Sequence, residues 1–238
     1  MKSFNRIRQL SNVTSDLSAK IKPKNCVVAD IGTDHGYLAE LLSRDENITK
    51  IYATDISQKC LDKTNTLIEK FNLTKIETKL GNGLEPIDRA DLVVLAGIGG
   101  YEIIKILSNQ NITKNGDKKC GVFVLQPSKN VVELRKWIFD NGYAVSLDKI
   151  VKSGSKFYPI IVIDENMVQT REKSLFNLYF GRDNSVDDPD FVSYLTFEKQ
   201  RMNYLDKVDK KKEKNSNDLK TKIMLSNLID DLLKNKGE

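Results

Sequence analysis

Between Cys26 and Ile163, short and continuously apolar runs alternate with segments of helical period. The runs are "CVVAD", "KIYATDI", "IETKLGNG", "ADLVVLAGIGG" and "GVFVLQP". Among them "YLAELLS", "SQKCLDKTNTLIEKFN", "YEIIKILS" and "VVELRKWIFDNG" read as helices, the second capped by Ser57 and the last closed by Gly142. Strands that are apolar on both faces, joined by helices, predict a parallel sheet covered on both sides. "YAVSLDKIVKSG" and "KFYPIIVID" then follow as adjacent strands with no helix between them. The expected α/β sheet therefore has seven strands and ends in a hairpin at one edge.

After about Glu165 the texture changes. "FVSYLTFEKQRMNYLDKVDKKKEK" spaces Phe191, Leu195, Met202 and Leu205 at mixed three- and four-residue steps, and Glu198 interrupts them. "NDLKTKIMLSNLIDDLLKN" repeats the pattern with Leu219, Ile223, Leu225, Leu228, Ile229, Leu232 and Leu233. The polar stretch "KKKEKNSN" separates them. This predicts an antiparallel, coiled-coil-like helical hairpin, so residues 1–165 form one domain and 166–238 a small helical one.

Composition narrows the chemistry. No run of eighteen apolar residues suggests a membrane span, and the first residues lack the apolar core of a signal peptide, so the cytoplasm is expected. Cys26, Cys60 and Cys120 are far apart and there is a single histidine, so neither a disulfide framework nor a metal site is expected. The net charge of +5 suits an anionic partner without requiring one. Ahead of Asp30, the cations Lys2, Arg6, Arg8, Lys20, Lys22 and Lys24 face only Asp16, which also fits a solvated lysine-rich surface.

In an open parallel sheet, ligands sit beyond the carboxyl ends of the strands. Four such ends carry unusual residues: Asp30-Ile31-Gly32-Thr33-Asp34-His35-Gly36, then Asp55, then Gly81-Asn82-Gly83, then Ala96-Gly97-Ile98-Gly99-Gly100. Gly32 and Gly36 let backbone approach a ligand and turn into a helix. Asp55, nineteen residues after Gly36, can accept hydrogen bonds from both hydroxyls of a ribose. The Asn82 amide can donate and accept, which suits an adenine edge. Gly97, Gly99 and Gly100 leave the rim open to a flat ring. Each feature alone also serves a plain turn or a helix cap; their joint occurrence on four strands carries the argument.

A dinucleotide loop would read G-x-G-x-x-G, but Asp34 stands where the second glycine belongs. Asp30 and Asp34 would repel a pyrophosphate. They suit a ligand that combines cationic groups with a ribose and an adenine, as S-adenosylmethionine does.

"VADIGTDHGYLAELL", "YATDIS", "LGNGLEP", "LVVLAGIGG" and "VLQPSKNVVELRKWIFDNGY" resemble the bacterial TrmK family, the tRNA adenine-22 N1-methyltransferases, from about Arg6 to about Ile163. The resemblance implies a class I methyltransferase: a Rossmann-like, mostly parallel seven-stranded sheet with a reversed last strand. It implies that Asp30, Gly32, Thr33, Asp34, His35, Gly36 and Tyr37 surround the methionine part of S-adenosyl-L-methionine. Asp55 and Ile56 would hold the ribose, Asn82 and Gly83 would meet the adenine, and Ala96, Gly97, Ile98 and Gly99 would border the transferring methyl. Arg182 stands where the family pattern has proline.

Adenine N1 carries an in-plane lone pair, so its attack on a sulfonium methyl needs no base, and His35 is free to serve in the cofactor loop. The rim lacks the D/N-P-P-Y/F segment expected for chemistry at exocyclic amines. The target base must leave its stack. Arg6, Tyr101, Gln126 and Pro127 are candidates to touch it, and the lysines from Lys207 to Lys214 could follow the tRNA backbone. Arg6 and Lys207 to Lys214 also fit solvated surface, and Tyr101 fits a helix residue packed on the sheet. Two alternatives remain: a methyltransferase of this fold acting on another RNA base, a small molecule or a protein, and a nucleotide- or RNA-binding module without turnover. The oligomeric state stays open, with a monomer slightly favoured.

Overall fold

The computed structural model describes residues 2–110, 118–168, 173–208 and 216–234. In chain order the elements are α1 (Lys2–Ile21), β1 (Cys26–Ile31), α2 (Tyr37–Ser43), β2 (Ile48–Asp55), α3 (Gln58–Phe71), β3 (Ile76–Leu80), β4 (Leu92–Ala96) and α4 (Gly100–Gln110). There follow β5 (Val122–Gln126), α5 (Val131–Asp140), β6 (Ala144–Ser153), β7 (Lys156–Asp164), α6 (Leu175–Phe180), α7 (Pro189–Val208) and α8 (Ser216–Lys234).

The seven strands form one sheet in the order β3-β2-β1-β4-β5-β7-β6. The first five are parallel, and β7 runs antiparallel to both β5 and β6. The hairpin therefore inserts its second strand next to β5 and leaves β6 at the edge. Chain order reverses between β1 and β4, which opens the crevice where ligands bind in such sheets.

Alternate residues of the inner strands serve two cores, as a period of two requires. Val28, Ile51, Leu92, Val94 and Val124 face α1, α2 and α3. Ala29, Val93, Leu95, Phe123 and Leu125 face α4 and α5. Both faces are dry, which is why these strands read as unbroken apolar runs.

Helix α1 has no counterpart in the sequence-based expectation. It lies on the face shared with α2, burying Leu10 beside partly buried Ile7, Val13 and Leu17. Its inward stripe also contains Ser11, Thr14 and Ser18, all buried. Thr14 satisfies its hydroxyl on the Leu10 carbonyl at 2.8 Å, and Ser18 donates to Asp45 at 3.0 Å. Small hydroxyl residues that bond back to their own helix pack like apolar ones but hide the 3.6-residue signal.

Helices α7 and α8 pair antiparallel, with Lys199 reaching Asp230 and Lys222 donating to the Met202 carbonyl. Their shared core takes in Phe191, Leu195, Leu225 and Ile229 together with Ile150 of β6 and Phe180 of α6. The pair is thus seated on the edge of the sheet. The Leu205 side chain and those of Lys207 to Lys214 lie outside the described residues.

The link to this pair is built into the sheet edge. Asp183 and Asn184 accept from the backbone N–H groups of Asp148 and Ile150 at 2.7 and 2.8 Å. Arg182 donates to the Val145 and Ser146 carbonyls. The exposed side of β6 is thereby blunted against pairing with another strand. Beneath it Arg135 forks onto both oxygens of Asp148 at 2.7 and 2.8 Å and donates to the carbonyls of Leu178 and Tyr179. Burial pushes the Asp148 carboxyl up, and Arg135 opposes that shift.

Candidate functional site

The carboxyl ends of β1, β2, β3 and β4 surround a cavity of about 770 Å³. Parallel register fixes its shape, since Ile31 pairs with both Thr54 and Leu95. The loop after β1 is therefore held between Asp55 and Ala96. Gly32 and Thr33 both donate their N–H groups to the Thr54 carbonyl at 2.9 Å, and Gly36 closes the turn on Thr33 at 3.0 Å.

Carboxylates dominate this cavity. Asp30 is buried at the end of β1, where Thr33 donates to it at 2.8 Å. Burial raises its pKa to about 6, against the opposing Thr33 bond, and the Asp55 charge adds to the rise. Asp55 is oriented by two N–H groups, Asp34 at 3.2 Å on one oxygen and Ser57 at 2.9 Å on the other. Ser57 therefore helps to start α3 through its backbone; its own side chain makes no capping bond.

Asp34 sits at φ +53°, a left-handed conformation that an aspartate tolerates better than most residues. Its partial burial pushes the carboxyl up, but the His35 ring, the Cys60 thiol and Lys63 outweigh this and hold it below the usual range. His35 Nδ1 lies 2.7 Å from Asp34, and His35 Nε2 lies 3.1 Å from the Lys63 ammonium. An ammonium can only donate, so Nε2 accepts and Nδ1 carries the proton toward Asp34. The ring also stacks on Tyr37, with centroids 5.7 Å apart and planes within 1°. His35 is thus a fixed part of the wall.

The expected residues divide by position. Asp30, Gly32, Thr33, Asp34, His35 and Tyr37 line the cavity from the first loop, and Asp55 and Ile56 from the second. Asn82 and Gly83 line it from the third, and Ala96, Gly97 and Ile98 from the fourth. Gly36 and Gly99 lie behind this wall. A Cβ at Gly36, where φ is +74°, would sit 2.7 Å from Thr64 of α3, so this glycine permits loop-to-helix contact rather than ligand contact. A Cβ at Gly99 would meet Lys129 at 3.1 Å. Six wall residues were not foreseen: Ile7 and Leu10 of α1, Leu38 of α2, Thr54 of β2, and Glu102 and Ile106 of α4. No signal short of recognising α1 would have found the first two.

A second cavity, about 890 Å³, adjoins the first, and Arg6 and Gly97 line both. Gln126 and Pro127 lie in its wall at the end of β5. Arg6 donates to Gln126 Oε1 at 2.8 Å and rests over the Tyr158 ring at 5.4 Å. Gln126 Nε2 donates to the Pro127 carbonyl at 3.0 Å, so its amide is held from both ends. Three of the four candidate base contacts therefore meet at one junction. Tyr101 does not join them; it is exposed on α4 and lines neither cavity.

The two cavities differ in sign. Asp30, Asp34, Asp55 and Glu102 oppose Arg6 in the first. In the second, Arg6, Lys129, Lys156 and Arg201 oppose Glu133 and Glu198, while Arg135 is already paired with Asp148. The first favours a cation and the second a polyanion. Among the described residues no group of three His, Cys, Asp or Glu side chains could hold a metal ion, and no helix is long and apolar enough to cross a membrane.

Comparison with known proteins follows the same outline. A family model described as a methyltransferase domain matches residues 10–161. A Mycoplasma pneumoniae protein assigned as a tRNA methyltransferase is 31% identical over 168 residues, covering 69% of this chain and 74% of that protein. The Bacillus subtilis tRNA (adenine(22)-N(1))-methyltransferase is 30% identical over 149 residues, 61% of each chain. The solved structure of M. capricolum TrmK with S-adenosyl-homocysteine is 27% identical, with a TM-score of 0.69 over 94% of this chain and 96% of that one.

Proposed function

The chain belongs to the TrmK family of methyltransferases, and from that premise we propose that it methylates N1 of adenine 22 in tRNA, using S-adenosyl-L-methionine. The observation that carries this reading is the junction of an acidic cavity with a basic one at Gly97 and Arg6. A cationic cofactor and a polyanionic acceptor would meet there.

The cofactor cavity suits its ligand by its donor set. Asp30 and Asp34 suit the ammonium end, Asp55 the ribose hydroxyls, and Asn82 with Gly83 the adenine. Bound there, S-adenosylmethionine supplies an electrophilic methyl on a sulfonium that departs as a neutral thioether. The chain's own work is alignment. Gly97, at φ +78°, lines both cavities without a side chain, and a Cβ there would lie 3.6 Å from the Arg6 guanidinium. Gly97 N–H is spent on the Gln126 carbonyl at 2.9 Å, which fixes the rim of β4 to that of β5. No proton needs to leave adenine N1 before attack, so the site requires no base. As positive charge passes to the adenine ring, the carboxylates of the first cavity stabilise it.

The active unit in this reading is a monomer, working in the cytoplasm where tRNA is found. Residues 1–165 would carry the chemistry, with 166–238 as a helical domain against the basic cavity. The test is transfer of labelled methyl from S-adenosylmethionine to unmodified tRNA transcripts. Label should enter a transcript with adenine at position 22 and not one with guanine there. Equal labelling of both would contradict the assignment.

A further inference from the structure

The basic cavity extends well past the junction, to the face of α7, and its far wall is aromatic. Phe157 of β7 lies 5.4 Å from Tyr194 and 5.6 Å from Phe197 by ring centroids. Tyr194 rests in turn on Phe180 and Phe191 of the helical core, at 6.4 and 6.2 Å. Phe197 differs from its neighbours: the core does not absorb it, and 44% of it is exposed. It lines the cavity with one face available.

Two of the charges around it are also uncommitted. The side chains of Lys129 and Lys156 line the cavity and make no hydrogen bond or ion pair among the described residues. Lys129 lies over Gly99, beside the junction, and Lys156 sits at the β6–β7 turn, beside the aromatic wall. Arg201 is neutralised by Glu198 at 2.6 Å. A buried seam that merely joined helices to a sheet would have no use for two free ammonium groups and an open phenyl face. Aromatic faces that stack bases, flanked by cations that meet phosphates, are the recognition chemistry of unpaired nucleotides.

We propose that the wall formed by Phe157, Tyr194 and Phe197, with Lys156 beside it, is a subsite for a nucleotide adjacent to the target adenosine in the tRNA. Its base stacks on Phe197, and its phosphate is met by Lys156. The proposal rests on the activity proposed above and adds a second point of hold. A base turned out of a stem loses its stacking partners, and a neighbour captured here compensates for that loss close to the site of reaction.

The test is a double-mutant cycle between the protein and its RNA. Transcripts carry an abasic residue at position 21 or 23, and the protein carries Phe197→Ala, an exposed position where folding is expected to survive. Removing one stacking base lowers kcat/KM for tRNA about tenfold with the wild type. Phe197→Ala lowers it similarly on intact tRNA, and the two losses do not multiply. Affinity for S-adenosylmethionine stays unchanged in the variant. Losses that multiply at both positions, or a Phe197→Ala enzyme with full activity on tRNA, overturn the subsite. Lys156→Gln should in addition reduce the slope of log affinity against log salt by about one; an unchanged slope counts against the phosphate contact. The same cycle read by equilibrium tRNA binding needs no turnover. It decides the subsite even if no methyl is transferred, so the two failures are told apart.

Discussion

Asp30 is the residue at which stability and cofactor binding should oppose each other. Its carboxyl is buried, and its pKa rises from the ordinary 3.8 to about 6. A carboxyl that holds its proton more tightly in the fold than in the unfolded chain weakens the fold when it ionises. The difference corresponds to about 3 kcal/mol near pH 8, roughly half that near pH 5, and nothing below the unfolded value. Asp30→Asn removes the charge and keeps an oxygen for the Thr33 hydroxyl to donate to. The ligand-free variant should therefore melt about 5–10 °C higher than the wild type near pH 8, and the gap should narrow toward pH 5. Circular dichroism melts at the two pH values measure this. Calorimetric titration with S-adenosylmethionine should show the opposite effect, an affinity at least about tenfold weaker, because a charge-assisted contact to the cofactor ammonium is lost. A variant that melts no higher than wild type near pH 8 would refute the account of Asp30 as a strained carboxylate. Unchanged affinity would refute its place at the cofactor.

Other residues give sharp expectations. Gly36→Ala places a methyl 2.7 Å from Thr64 at φ +74°, and should cost about 1–2 kcal/mol from the backbone alone; adding Thr64→Ser should restore part of the loss in a urea melt but not all of it. Arg135→Met leaves Asp148 buried and unpaired and should destabilise by about 3–5 kcal/mol, whereas Arg135→Met with Asp148→Leu should recover most of that. His35 is the only histidine, so a nitrogen NMR spectrum of selectively labelled protein reports it alone. In the neutral ring a protonated Nδ1 and a bare Nε2 are expected, and the reverse tautomer would contradict the Asp34–His35–Lys63 chain.

The strands were legible because burial on both faces leaves no polar residue to interrupt them, as in "LVVLA" of β4. The rim was legible for a related reason. Glycines and aspartates that end an apolar strand have few structural uses, and Asp30, Asp55 and Gly97 do meet at one cavity. Helix α1 was not, because Ser11, Thr14 and Ser18 occupy its inward stripe. With it went the reason for Arg6, whose place at the junction depends on where α1 lies. The order of the last two strands was hidden as well. A hairpin reads the same whichever strand lies inside, and only the pairing of Phe123 with Ile163 puts β7 next to β5. The role of "GRDN" was invisible for a different cause: Arg182 and Asp183 bind β6 backbone some 35 residues earlier, and no local pattern encodes a contact with backbone.

The proposed reaction is confined to one ring nitrogen of one tRNA base. Unmodified tRNA incubated with the protein and S-adenosylmethionine, digested with a base-specific nuclease and analysed by mass spectrometry, reports both the nucleoside and its position. 1-Methyladenosine is expected at position 22, and none when the wild type is replaced by Asp55→Ala at low cofactor concentration. N6-methyladenosine, 1-methylguanosine, or methylation at any other position would contradict it.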